Sequence, residues 1–179
     1  MNYLFLASGF EEIESIVVID ILRRSNMEIT IVSIEKKLEV TGSHHITIKT
    51  DDILENVIFE NIEWLILPGG MPGTTNLNKH EKLKKIIKGH YEKGGSIAAI
   101  CAAPLILGDM NLLQGKSATC YPGYESHLQG ALLSEEKIVD AGNIVTAKGA
   151  GVTIPFALKI VEKSKGMDKA QEIANKIML

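Results

Sequence analysis

Gly94-Gly95-Ser96-Ile97-Ala98-Ala99-Ile100-Cys101-Ala102-Ala103-Pro104-Leu105 is the stretch on which the reading of this chain turns. A glycine pair opens it, an apolar segment of strand length, Ser96 to Ile100, follows, and one cysteine stands where the pattern changes from strand to helix. Small alanines flank the cysteine, and Pro104 suits the first turn of a helix, where its missing N–H costs nothing. A side chain on such a turn stands above the sheet edge, faced by the N–H groups of the following helix. A thiol there gains from the positive end of the helix dipole, which favours the reactive thiolate. A buried structural cysteine is the competing reading, because free Cys is among the most buried residue types.

Outward from that stretch, short apolar runs alternate with helical periods. Tyr3 to Ala7 reads as a first strand ended by Ser8-Gly9. Ile13, Ile16, Val17 and Ile21 then fall at helical spacing, with Arg23-Arg24 in the last turn, where cations suit the dipole. Ile29 to Ile34 is a second strand. Val40, Ile46 and Ile48 suggest a third with one wet face. Ile62 to Leu67 is a fourth, ended by Pro68-Gly69-Gly70, and an amphipathic helix is expected from about His80 to Tyr91. After the cysteine turn and a short helix to Gly108, Lys116 to Cys120 reads as a strand. Two further short strands surround Asp140-Ala141-Gly142-Asn143. Gly149-Ala150-Gly151 opens a helix, and a last helix starts near Lys169. Strands alternating with helices imply an α/β fold with a parallel sheet covered on both faces, in one domain over residues 1–179. Chemistry in such folds collects at the carboxyl ends of the strands. Ser8-Gly9-Phe10-Glu11, Pro68-Gly69-Gly70, Cys101 and Cys120-Tyr121-Pro122 all belong to that edge, which favours Cys101 as a functional residue.

The formal net charge of -3 gives no electrostatic reason to expect nucleic acid or an anionic membrane. No apolar run approaches the roughly 20 residues that span a bilayer. The chain's start reads as a strand rather than a signal peptide. Two cysteines do not make a disulfide framework, and a reducing cytoplasm is the simplest expectation.

Glu11, Glu12 and Glu14 crowd the first turn of the first helix, where dipole complementation accounts for one or two of them. Glu14, set among Ile13, Ile16 and Val17, is expected to face the sheet edge. Burial beside a thiolate would push its carboxyl towards the protonated form, suited to general acid or base work. Gly69-Gly70 and Ala102 are placed to offer backbone N–H groups as an oxyanion hole. His127 lies in the loop after Tyr121-Pro122, from which it can swing towards Cys101. His44 and His45 point to opposite strand faces, and no metal-ligand spacing is apparent. Gly149 to Gly151 lacks the spacing of a dinucleotide site. No metal or cofactor is expected.

Together, Glu11-Glu12-Ile13-Glu14, Ile19-Asp20-Ile21-Leu22-Arg23-Arg24, Leu67-Pro68-Gly69-Gly70, Ala98 to Pro104 and Lys148 to Gly151 resemble the ThiJ/PfpI superfamily, closest to its ThiJ/YajL branch, over essentially the whole chain. The resemblance implies a flavodoxin-like three-layer sandwich with a cysteine nucleophile elbow, assembled as a homodimer. It implies an oxidisable thiol at Cys101 with a protonated Glu14 beside it, and it matches Gly70 and Ala102 to the amides that line the site. Activities it implies are cofactor-free conversion of small dicarbonyls such as methylglyoxal (glyoxalase III), deglycation, redox sensing and chaperoning. Three positions depart from family patterns. Tyr121 stands where one branch has histidine, His44 where it has a site arginine, and Ala102 where the protease-like branch has histidine, which argues against peptidase activity. A glutamine amidotransferase is disfavoured, since no His and Glu pair suited to the cysteine follows Cys120. Cys120 reads as a small apolar filler before a resolving thiol. The first helix, with Ile16 and Val17, is the expected dimer contact.

Overall fold

The computed structural model describes residues 1–179. Its main sheet is built from β1 (Asn2–Leu6), β2 (Ile29–Ser33), and later strands that join on either side of these two. The chain runs through α1 (Glu12–Arg24) between them, then β3 (Glu39–Thr41), β4 (Thr47–Lys49), β5 (Asp52–Ile53) and β6 (Trp64–Leu67). Two helices, α2 (Gly73–Lys79) and α3 (Glu81–Glu92), lead into β7 (Ser96–Ile100) and α4 (Pro104–Asp109). Four short strands follow: β8 (Ser117–Ala118), β9 (Leu132–Leu133), β10 (Ile138–Asp140) and β11 (Ile144–Ala147). The helices α5 (Thr153–Lys165) and α6 (Met167–Lys176) close the fold.

The seven-stranded sheet has the order β10-β11-β7-β6-β1-β2-β5. Every neighbouring pair is parallel except β10 and β11, which form an antiparallel edge hairpin. The central strands are buried on both faces, as all five residues of β1 and all four of β6 show, so their sequences read as unbroken apolar runs. The period of two divides those side chains between two cores. Leu4, Leu6, Ile66, Ala98 and Ile100 pack with Val18 and Leu22 of α1, Phe156 and Ile160 of α5, and Ile173 of α6. Tyr3, Phe5, Leu65, Leu67, Ile97 and Ala99 pack with Leu77, Leu83, Ile87 and Leu105 from the helices on the other face. This is the flavodoxin-like α/β arrangement, and it gathers the turns after β1, β6 and β7 at one edge.

Several elements differ from the sequence reading. The third strand is instead a separate antiparallel hairpin, β3 with β4, outside the main sheet. The strand expected over Lys116–Cys120 is reduced to β8, which pairs with β9 rather than with the main sheet. Helix α2 and edge strand β5 were not apparent from periodicity, and α6 starts at Met167 rather than near Lys169.

Candidate active site

Cys101 directly follows β7 with φ +64°, a left-handed conformation that costs a non-glycine residue about 1–2 kcal/mol. The surroundings hold it there. Its N–H donates to the Ala147 carbonyl at 2.8 Å, and its carbonyl accepts from Tyr121 N at 2.8 Å. Ala102 and Ala103 are buried beneath it, and Pro104 takes the first turn of α4. This is a nucleophile elbow, with the thiol partly exposed at the sheet edge.

The neighbouring turns after β1 and β6 are tied to each other by backbone hydrogen bonds. Glu11 N donates to Gly69 O at 2.9 Å, and Gly73 N donates to Gly9 O at 3.1 Å. Glu11 also caps α1, its carboxylate accepting from Glu14 N at 2.7 Å. That cap sets the first turn of the helix so that Glu14 points inward, where it is wholly buried. Glu14 Oε2 accepts from Gly69 N at 2.8 Å, while Oε1 has no protein partner. Gly69 is where carboxylate and thiol meet. A methyl group there would lie 2.6 Å from Cys101 Cβ, 2.7 Å from Glu14 Oε2 and 3.1 Å from Cys101 Sγ. Gly70, with φ +89°, would drive a side chain into the Phe10–Glu11 backbone, so its lack of one permits this close approach.

Burial pushes the Glu14 carboxyl up to about 7, against the pull of the Gly69 N–H. Burial also pushes the Cys101 thiol up to about 12, and the Glu14 charge adds to this; the N–H groups of Ala102 and Gly70 oppose it. The expected lowering of the thiol by the helix dipole is therefore not what governs the site. Helix α4 has only six residues, and the adjacent carboxylate and the loss of water outweigh it. What both groups resist is a second negative charge in one largely buried space. The pair loses one proton in the neutral range, and two donor sets compete for the resulting charge: Gly69 N–H on the carboxylate, Ala102 and Gly70 N–H on the sulfur.

Tyr121 reaches the same site. Its ring lies 3.3 Å from where a Gly149 side chain would begin, and Cys101 Sγ lies 3.9 Å from that same point. Gly149 thus forms a wall of the site, which its glycine-rich run before α5 signalled only weakly. Tyr121 is half exposed and meets Tyr124 edge-on at 6.5 Å between ring centroids.

The two histidines go elsewhere. His44 Nδ1 lies 2.8 Å from Glu12 Oε2, and its backbone N–H donates to Glu12 Oε1 at 2.7 Å. The same buried carboxylate accepts from Ser43 Oγ, so Glu12 anchors the β3–β4 turn, a role its place in an acidic cluster concealed. Glu11, Glu12 and His44 bring one ligand atom each within 4.8 Å of one another, but the turn already occupies both oxygens of Glu12. His127 Nδ1 lies 3.1 Å from Asp109 Oδ1, so it is held at the end of α4 and not against the thiol. Cys120 is buried and its thiol is pushed up to about 11, chiefly by that burial.

Residues 2–163 match the family model described as the DJ-1/PfpI family. The chain belongs to the DJ-1/PfpI family. Protein DJ-1 homolog B of Arabidopsis thaliana is 36% identical over 176 residues, covering 97% of this chain; the chain spans only 40% of that plant protein's length. Deglycase PH1704 of Pyrococcus horikoshii is 34% identical over 153 residues, covering 83% of this chain and 90% of the relative. Among solved structures, oxidized DJ-1 of Toxoplasma gondii superposes with a TM-score of 0.95 at 32% identity, covering 99% of this chain and 97% of that one. No helix of this DJ-1/PfpI chain is long and apolar enough to cross a membrane.

Proposed function

We propose that the protein is a cysteine-dependent, cofactor-free enzyme of the glyoxalase III or deglycase type, acting on small dicarbonyls such as methylglyoxal. The observation that carries this reading is the meeting of Cys101 Sγ, a buried Glu14 and the N–H groups of Gly70 and Ala102 around Gly69. The relative named a deglycase supports it. The sulfur attacks the aldehyde carbon as Glu14 holds the released proton, and the new oxyanion faces the two N–H groups. Glu14 returns that proton to the oxyanion, giving the hemithioacetal hydroxyl. Its carboxylate then takes the proton from the former aldehyde carbon and returns it to the neighbouring carbonyl carbon, while the hydroxyl proton passes to the neighbouring carbonyl oxygen. The product is a 2-hydroxyacyl thioester on Cys101. Water cleaves that thioester, releasing lactate and the thiol, so the sequence adds one water and needs no external oxidant. Tyr121 forms a wall for the substrate, and neither His44 nor His127 has a role.

Rapid quenching with methylglyoxal, followed by mass analysis of the Cys101 peptide, tests this chemistry. The expected result is a transient adduct with the mass of one methylglyoxal, absent in Cys101→Ser. Turnover without any adduct on Cys101 would overturn it.

A second reading is favoured by one atom. Glu14 Oε1 is buried without a partner, and when protonated it can donate to an oxygen added to Cys101. The likeness to an oxidized DJ-1 supports this redox-sensing or chaperone role. Peroxide is expected to add two oxygens to Cys101 in wild type, and further uncontrolled oxidation is expected in Glu14→Ala. Equal oxidation of both proteins would remove Glu14 from that role.

We also propose a homodimer through α1. Ile13 and Ile16 are 53% and 45% exposed on its outer face, close in the chain to Glu12, which anchors the hairpin bearing exposed Ile46. Val17, in contrast, packs partly against the core.

A further inference from the structure

A cavity of about 430 Å³ lies at the opposite end of β7 from Cys101, between α3 and the segments that enter β6 and β7. Five residues of strand separate the two ends, about 17 Å at ~3.3 Å each. Its size falls in the range of small-ligand pockets, about 300–1,000 Å³. Phe59, Ile62 and Ile86 supply apolar walls, and Phe59 is itself fixed by packing on Tyr3, with ring centroids 4.8 Å apart.

The polar lining is of one sign. Lys85 and Lys93 line the cavity and no carboxylate does; Glu60 and Glu63, on the adjoining loop, are not among its walls. Neither lysine forms an ion pair, although Lys84 and Lys88 beside them pair with Glu81 and Glu92. Lys85, Gly89 and Lys93 stand at successive fourth positions and so share one face of the helix and its end.

Gly89 of α3 lies between the two lysines in the cavity lining. A glycine inside a helix costs about 0.5–1 kcal/mol relative to alanine. Here nothing in the packing requires it: a methyl group at Gly89 would meet no atom within 4 Å, and its φ is not positive. The missing side chain leaves the space between the two lysines open. His90 closes the floor, with its ring against Gly95 and Nε2 3.1 Å from Ser96 O.

We propose that this cavity binds a small molecule with an anionic group on an apolar body of about one ring, with Lys85 and Lys93 holding the charge across Gly89. The shared chemistry is that of a phosphate monoester or a carboxylate.

Phenyl phosphate, phenylacetate and uncharged benzyl alcohol, each titrated into the ¹⁵N-labelled protein, test the site. Saturable shifts are expected at the amides of Gly89, Gly95 and Asn61 with at least one anion, weakening as salt is added. The tighter anion identifies the phosphate or the carboxylate as the preferred group. Lys85→Gln with Lys93→Gln should weaken binding about tenfold or more. Gly89→Leu should abolish it while leaving the fold intact, because leucine is the better helix former. Alkylation of Cys101 should be unchanged in all variants. No saturable shift with either anion, equal binding of benzyl alcohol, or undiminished affinity in the double lysine variant would each overturn the proposal.

Discussion

At Cys101 and Glu14 the controlling quantity is how many protons the pair holds. Glu14 ionises at about 7 rather than 4.5, so its neutral form is the one the fold prefers. A raised folded-state pKa gives stability that is fully present below 4.5 and lost as pH rises through about 7. That rise corresponds to about 3 kcal/mol. Between pH 4.5 and 8, therefore, wild type should lose about 3 kcal/mol relative to Glu14→Gln in urea unfolding; parallel curves would show that Glu14 is not strained when charged. The same proton governs reactivity. Iodoacetamide alkylation of Cys101 should rise through about pH 7 in wild type, as the pair takes up its single negative charge, and this step should vanish in Glu14→Gln. Gly69→Ala provides a geometric counterpart. A methyl group 2.6 Å from Cys101 Cβ and 2.7 Å from Glu14 Oε2 should part the two groups, cutting turnover about 100-fold or more. Unchanged turnover in that variant would show that the contact between them is not needed. Both residues were legible in the sequence, Cys101 from the strand-to-helix change and Glu14 from its apolar neighbours. The thiol's upward shift was not, because it depends on the carboxylate charge and on burial supplied by segments distant in sequence.

Among the elements, legibility follows the range of the contacts that shape them. Strand β7 was read with its observed limits, Ser96 to Ile100, because a strand buried on both faces carries its signal in its own residues. The β3–β4 hairpin was not, because its turn is held by Glu12 from α1, across 32 residues of sequence. Helix α2 also escaped, since Gly73-Thr74-Thr75-Asn76 has poor helix propensity and is placed by packing. The histidines failed for the same reason as the hairpin: His44 and His127 are positioned by Glu12 and Asp109, and nothing local marks those pairings. Removing the anchor should expose the dependence. Glu12→Ala leaves the amides of His44 and Ile46 without their acceptor and should cost about 2 kcal/mol, with hydrogen exchange at those amides accelerating before that of β7. Retained protection at both would mean that the turn holds itself.

For the molecule as a whole, one sheet presents a different candidate site at each of its two ends. Its carboxyl edge collects Cys101, Glu14, Gly70 and Tyr121, while the amino end of β7 borders the basic cavity at Gly89. The outer face of α1 is a third surface, set apart from both cores. Ile16→Glu should convert a dimer to a monomer by light scattering with little change in unfolding midpoint; an unchanged mass would place the contact elsewhere. The family and the layered fold were legible because the alternation of strands and helices extends over the whole chain. The proposed partnership between copies rests on the exposed Ile13 and Ile16 of α1. The most direct test of the central claim is methylglyoxal consumption with lactate detection for wild type, Cys101→Ser and Glu14→Gln. Lactate from wild type alone is the expected result, and it would make the Cys101–Glu14 pair the seat of a cofactor-free reaction. Lactate from Cys101→Ser at the wild-type rate, or none from wild type, would contradict the claim.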